Sequence, residues 1–523
     1  MILLRHSQSL HHLFCHHLRS NYRFSCFVVV RFARKMSVSV KYTKLFYNNE
    51  WHEAKSGKTF ETVNPADGTK LADICEADKA DVDVAVELAK KAFQIGSAWR
   101  SIDASKKGML LLKLADLFER DIEYMAELET ADCGKLFQDS KDDIKFTAGV
   151  IRYYAGWCDK ICGQNIPCDG DYFAVTKKQP VGVCAAITPW NYPIAMFTLK
   201  LAPILACGNV FIGKPAEQTP LTALYIAALC KEAGFPPGVV AILPGYGPTA
   251  GAALANNMDV NKITFTGSTE VGKLIMKASG DSNLKRVTLE LGGKSPNIIF
   301  SDYDNLEYAA SVAQEAAMTN MGQCCCAGTR TFVQEGIYDK FVEISKMLAE
   351  TRTVGSPMND DSQHGPQIDS EQKGKILDLI ESGKKEGAKV VFGGKSMDQS
   401  GFWVEPTVFA DVEDGMRIAK EEIFGPVQSI FKFKTLDEVV KRANDTQYGL
   451  GGAVFTKDID KAYTVASSID AGTVWINCYN AGEANTPFGG FKMSGIGREY
   501  GEESLNNYLE TKTVILKVPQ KIN

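Results

Sequence analysis

Between residues 181 and 271 the chain repeats one pattern. A run that is apolar on nearly every residue is followed by a loop and then by a helical stretch. VGVCAAI leads into TPWNYP and a helix over Leu199–Ala206; NVFIG leads into KPAEQTP and a helix over Leu221–Ala233. VVAILPG precedes a short helix over Gly251–Asn256, and KITFTG leads into GSTEVG and a helix from Val271. Strands without polar alternation have both faces buried, and intervening helices act as crossovers. The pattern therefore predicts a parallel sheet with helices on both sides. A second α/β stretch follows, with VTLELGG, PNIIF, a helix over Leu306–Met318, TRTFVQ, AKVVFGG, SIFKF, GGAVFTKD and GTVWIN. Upstream, residues 42–70 read as short strands and hairpins, and helices are expected over Asp81–Phe93, Ser105–Glu119 and Asp139–Ile161. The last segment, TKTVILKVP, reads as a strand that is expected to join the sheet of another subunit.

Composition removes several function classes. The 523 residues are enough for two to four domains at roughly 150 residues each. No apolar run reaches the ~20 residues of a membrane helix. The 14 cysteines contain no CxxC pair, which favours free thiols in a reducing compartment. Histidine is scarce: of seven, five lie in the first 17 residues, leaving His52 and His364 for the rest of the chain. A zinc site built on histidine is not expected, nor is any other metal. The first 35 residues carry Arg5, Arg19, Arg23, Arg31, Arg34 and Lys35, and no acid appears before Glu50. This segment reads as a presequence for the mitochondrial matrix; the competing reading is an extension ahead of a start at Met36, giving a cytoplasmic protein. The formal net charge is already −5 and becomes more negative without that segment, so no nucleic-acid partner is expected.

Chemistry concentrates at the ends of the apolar strands. In MGQCCCAGTR three cysteines stand in a row, Cys324, Cys325 and Cys326. Only one of three successive side chains is expected to face a given cleft. Cys325 is taken as the nucleophile, with Cys324 and Cys326 turned away; the alternative is that all three are packing residues. With histidine scarce the base should be a carboxylate, and Glu290 in VTLELGG lies in apolar surroundings that raise its pKa and suit it to that work. Asn191 in TPWNYP is placed to donate to an oxyanion, against a simpler role in an Asx turn. Gly267 and Ser268 open a strand-to-helix turn able to meet a phosphate, although the sequence is not GxGxxG. Lys214 and Glu217 follow a buried strand, where a carboxylate would accept both ribose hydroxyls of NAD and repel the 2′-phosphate of NADP.

Taken together, LELGGKSPNII, FTGSTEVG, PWNYP, KPAEQTPL, GQCCCAGTR, KEEIFGPV and PFGGFKMSGIGRE resemble the NAD-dependent aldehyde dehydrogenase superfamily, nearest its class 1 and class 2 enzymes. The likeness runs from Tyr42 to Val518. It implies a Rossmann-like NAD-binding domain (36–161 and 181–292), an α/β catalytic domain (293–493), and a small β oligomerisation arm (162–180 and 509–518). Residues 1–35 would be a targeting segment or a disordered extension. It also implies that Cys325 is the nucleophile, Glu290 the general base, Asn191 the oxyanion donor, and Lys200 with Glu499 a proton path behind the base. Trp190, Lys214, Glu217, Gly267, Ser268, Glu422 and Phe424 would hold NAD. Tyr192, Leu199 and Phe488 would line the path of a small-molecule aldehyde, and the assembly would be a homotetramer. The chain departs from the class 1 and 2 pattern at Leu199, where a tryptophan is usual, and in NAGEANTPFGG, which is small and polar. A wider or more polar tunnel is the expectation. The rival readings are a non-catalytic protein on the same scaffold and a thiol hydrolase that does not use NAD.

Overall fold

The computed structural model describes residues 38–519. The basic segment read as a presequence lies outside them. Among the described residues two larger sheets dominate. The first has at its centre five parallel strands: β1 (Val183–Ile187), β2 (Val210–Lys214), β3 (Val240–Ile242), β4 (Lys262–Thr266) and β5 (Arg286–Glu290). Their spatial order is β5-β4-β1-β2-β3. Every residue of β1, β2, β3 and β4 is buried, as expected for strands covered on both faces. The helices that matter below are α1 (Ile122–Cys133), α2 (Phe137–Ala155), α3 (Pro193–Ala206), α4 (Leu221–Ala233) and α5 (Thr269–Asp281).

The winding of this sheet reverses at β1. The chain moves outward from β1 through β2 to β3, then crosses back and builds β4 and β5 on the other side of β1. Crossover helices leaving in opposite directions open a crevice at the C-terminal ends of β1 and β4, the place where open α/β sheets bind ligands. Ile187 pairs with Phe265 there, and one step further Thr266 pairs with Glu290. The loops that follow carry Trp190 and Asn191 from β1, and Gly267 and Ser268 from β4.

The second sheet contains β6 (Pro296–Ile299), β7 (Arg330–Gln334), β8 (Thr407–Ala410), β9 (Val427–Phe433), β10 (Gly451–Phe455) and β11 (Thr473–Ile476). They run parallel in the order β8-β9-β7-β6-β10-β11, with Lys389–Phe392 antiparallel on the β8 edge. A three-stranded sheet pairs Tyr172–Pro180 with Leu509–Lys517 over nine residues, and Asn165–Ile166 lies on its other side.

Three local differences from the sequence reading have clear causes. The helix expected from Leu199 begins at Pro193, because proline is tolerated in a first helical turn. The helix expected to reach Ile161 ends at Ala155, beside Gly156. After β11 the chain returns to the first sheet, where Gly495–Ile496 pairs antiparallel with Leu289 and Glu290. Long-range pairing of two residues leaves no periodic signal in a sequence.

The loop before the cysteines is held in an uncommon shape. Asn320, Met321 and Gly322 are all left-handed, with φ of 50°, 57° and 72°. A Cβ on Gly322 would lie 2.0 Å from the Gly425 carbonyl oxygen. Close backbone contact therefore clamps the cysteine loop to the EIFGP loop. Gly322→Ala is expected to lower the unfolding free energy by at least about 2 kcal/mol, read from a urea midpoint. An unchanged midpoint would show that the clamp is slack.

Candidate functional site

One cavity of about 550 Å³ opens at the crevice. Its wall includes Trp190, Asn191, Tyr192, Leu199, Gly267, Ser268, Glu290, Cys325, Glu422, Phe424, Phe488 and Glu499. Residues as far apart in sequence as Trp190 and Glu499 therefore meet in one place. Lys214 and Glu217 lie beyond this wall, at the end of β2, the neighbour of β1.

The cysteine loop differs from the expectation. Cys324 and Cys326 do not turn away: both line the same cavity as Cys325, and their sulfurs are 3.6 Å apart. The reason is a turn closed by the Ala327 N–H on the Cys324 carbonyl at 3.1 Å. It curls the chain, so residues i and i+2 approach instead of alternating as in an extended segment. Contacts among the thiols favour the thiolate of Cys324 and raise the pKa of Cys325. The depressed pKa that marks a reactive cysteine thus falls on Cys324, the neighbour of the expected nucleophile, and what remains in favour of Cys325 is its middle place in the family-like segment GQCCCAGTR.

Glu290, expected as the base, stands at the end of β5. It is 5 % exposed, and neither carboxylate oxygen has a hydrogen-bond partner among the described residues. Burial raises its pKa well above the ordinary value, and the charge of Glu499 adds to this; Lys200 and Arg498 act in the other direction. A carboxyl so placed readily takes a proton. Behind it Lys200, fully buried on α3, forms an ion pair with Glu499. Glu499 is held in place by the reciprocal backbone bonds it makes with Phe488.

Asn191 donates its side-chain amide to the Gln323 carbonyl at 2.8 Å, and its own carbonyl accepts from the Asn320 amide at 2.8 Å. The oxyanion loop and the cysteine loop are therefore tied to each other directly. Asn320 was not among the residues singled out from sequence. Its signal is an asparagine two residues before a glycine, a combination that favours left-handed turns.

The residues expected to hold NAD fit a dinucleotide. Lys214 Nζ lies 3.5 Å from a Glu217 oxygen; burial lowers the Lys214 pKa and Glu217 partly offsets this. Glu422 accepts from the Gly293 N–H at 2.9 Å, and burial raises its pKa to about 7. A Cβ on Gly292 would meet the same carboxylate at 2.3 Å, so any larger residue there would displace Glu422 from its place. Trp190 and Phe424 pack edge to face with centroids 5.2 Å apart, and Phe424 is left-handed at φ 55°. Ser268 caps α5, accepting from the Val271 N–H at 3.3 Å, and so presents the helix N-terminus to the cavity.

On the aldehyde side the wall is aliphatic and aromatic, from Phe146, Tyr192, Met196, Leu199, Trp475 and Phe488. Polar groups come mostly from Thr319 and the segment Asn480–Thr486. Leu199 is part of this wall, which is polar only in part. Phe146 and Trp475 were missed from sequence because nothing local marks their facing direction. Among the described residues no cluster of histidine, cysteine, aspartate or glutamate is suited to a metal, and no helix is long and apolar enough to cross a membrane.

Comparison with known proteins agrees with this geometry. The model of the aldehyde dehydrogenase family matches residues 51–514. Aldehyde dehydrogenase 1A1 of Gallus gallus is 60 % identical over 485 residues, covering 92 % of this chain and 95 % of that protein. Retinal dehydrogenase 2 of Homo sapiens is 59 % identical, covering 93 % and 94 %. The NAD+ complex of an aldehyde dehydrogenase from Bacillus cereus superposes with a TM-score of 0.90 at 48 % identity, covering 91 % of this chain and 97 % of that one. A match of this extent, on a fold whose crevice gathers a cysteine and a buried carboxylate, means that the chain belongs to the aldehyde dehydrogenase family and oxidises an aldehyde with NAD through a catalytic cysteine.

Proposed function

We propose that Cys325 is the nucleophile, Glu290 the general base and Asn191 an oxyanion donor, in the oxidation of a long apolar aldehyde to its acid. The observation that carries this is the single cavity in which Cys325, Glu290 and Asn191 meet an apolar tunnel. The Cys325 thiolate adds to the aldehyde carbon, and the carbonyl oxygen takes the negative charge. One amide donor at that oxygen contributes about 3 kcal/mol. NAD, when bound against Trp190, Glu422 and Phe424, supplies the acceptor for the hydride that leaves the carbon. The carbonyl re-forms as a thioester on Cys325. Glu290 then removes a proton from water, the hydroxide adds to the thioester, and the acid departs as the Cys325 thiolate is restored. The Lys200–Glu499 pair offers Glu290 a route for the proton it has taken.

Since the Glu290 pKa is raised, its base form fills only above the ordinary carboxylate range. Thioester hydrolysis is expected to climb with pH through the raised pKa and then level off. Glu290→Gln should remove that limb and lower kcat by at least ~100-fold. A pH profile identical in shape for the variant would assign the base elsewhere.

The relatives named retinal dehydrogenase and the apolar wall to which Leu199 belongs favour a long substrate over acetaldehyde. NADH formation with a series running from acetaldehyde to all-trans-retinal should show kcat/KM rising with length, and Cys325→Ala should abolish it. Leu199→Trp should cut kcat/KM for retinal about tenfold or more while sparing acetaldehyde. A steep preference for acetaldehyde would reject this substrate class.

We further infer a homotetramer. The Leu509–Lys517 strand leaves Ile515 and Leu516 at 65 % and 58 % exposure, and Val271 and Leu274, about one turn apart on α5, are also exposed. Apolar surface on an open strand edge is suited to a second copy of the chain. Light scattering should give four chains, and Ile515→Glu with Leu516→Glu should reduce that number. A monomer for the unaltered protein would overturn it.

A further inference from the structure

Two carboxylates with no part in the chemistry above sit three residues apart near the end of α1. Glu129 and Asp132 are 0 % and 1 % exposed. Burying a carboxylate is costly unless its oxygens are bonded, and the four oxygens here are all used. Glu129 accepts from the Ile194 N–H at 3.1 Å and from the Thr222 hydroxyl at 2.8 Å. Asp132 accepts from the Leu221 N–H at 2.8 Å and from the Thr62 hydroxyl at 2.8 Å.

The partners share a feature. Ile194 lies in the first turn of α3, and Leu221 and Thr222 open α4. Neither helix has a cap of its own: Tyr192 precedes α3 and Pro220 precedes α4, and neither makes a side-chain cap bond. Helix N-terminal N–H groups must find acceptors, and a serine, threonine, asparagine or aspartate at the cap normally supplies one. In this chain the prolines and Tyr192 displaced that residue, and α1 supplies the acceptors from a distance. The segment entering α3 carries Trp190 and Asn191. The segment entering α4 carries Glu217 and follows Lys214.

We propose that Glu129 and Asp132 are positioning residues of different reach: Glu129 ties the start of α3, and with it the oxyanion loop, to the start of α4, whereas Asp132 fixes only the start of α4, and with it the NAD-ribose loop. The proposal rests on the reading of Asn191 as oxyanion donor and Glu217 as ribose ligand. Its consequence is a division of kinetic effects between neighbouring carboxylates. Lys135, just past the end of α1, extends the same support. It pairs with Asp143 of α2 and lies 3.7 Å above the Tyr192 ring.

The test compares Glu129→Gln and Asp132→Asn in the full chain. Single-turnover NADH formation at saturating NAD reports the oxyanion half, and the dissociation constant of NAD by fluorescence reports the ribose half. Glu129→Gln should slow single-turnover NADH formation about tenfold or more and also weaken NAD, since Glu129 holds Thr222 of α4 as well as Ile194 of α3. Asp132→Asn should weaken NAD about tenfold and leave the single-turnover rate within about twofold. If both variants shift both quantities alike, or change only the unfolding temperature, the two carboxylates serve general stability and the proposal falls. Should Glu129→Gln not fold, Glu129→Asp keeps the charge, shortens the arm by one methylene and carries the same expectation. Asn191→Ala and Glu217→Gln run alongside: if these leave rate and NAD affinity untouched, the underlying site reading has failed; if they act and the α1 variants do not, only the positioning role has.

Discussion

The pairing of β1 with β4 sets the rest of the molecule. It joins two stretches of parallel sheet that wind away from one another, and the crevice at their C-terminal ends exists because the crossover helices leave in opposite directions. The loops that follow these strands are obliged to enter that crevice. PWNY enters from β1, GST from β4, and Glu290 stands at the end of β5, in register with Thr266. The second sheet then has one task at this place, which is to bring the cysteine loop and the EIFGP loop against the opening. It does so with a clamp of backbone on backbone at Gly322 and Gly425.

The crevice is costly to maintain. It holds a carboxylate with no hydrogen-bond partner among the described residues and a buried Lys200–Glu499 pair. Such groups seldom add to stability. They persist where chemistry needs a base with a raised pKa and a charged route behind it. The oxyanion loop likewise gives up an ordinary helix cap, since Pro-Trp-Asn-Tyr-Pro places the reactive groups where a cap would stand. The acceptor for the helix donors is then found on another helix, as Glu129 and Asp132 show. Function in this fold is therefore accompanied by a second layer of polar groups whose role is geometric.

Much of this was legible beforehand. The unbroken apolar runs announced the parallel sheet, and the scarcity of histidine pointed to a glutamate as base. The sequence segments around Cys325, Glu290, Asn191 and Glu422 identified the family before any coordinates. The cysteine triplet was read less well. An alternating loop would have hidden Cys324 and Cys326, but the turn closed on Ala327 brings both into the cavity. The hydrogen bond that closes this turn joins residues of one short loop, yet no pattern of residue types announces it. The return of Gly495–Ile496 to β5, the tunnel faces of Phe146 and Trp475, and the hold of Asn320 on Asn191 were likewise silent in sequence.

The sequence by itself determined the class of fold and, through its family resemblance, the reaction, because hydrophobic periodicity and motif chemistry are local properties. Tertiary structure alone decided which thiols share the cavity, that Glu290 is left without a hydrogen-bond partner among the described residues, that Phe146 and Trp475 join the tunnel wall, and that α1 caps two helices it does not adjoin in sequence. Those facts depend on contacts between segments tens to hundreds of residues apart. The free energy of such contacts comes from burial and from satisfying polar groups in three dimensions, and no local pattern encodes where the partner stands.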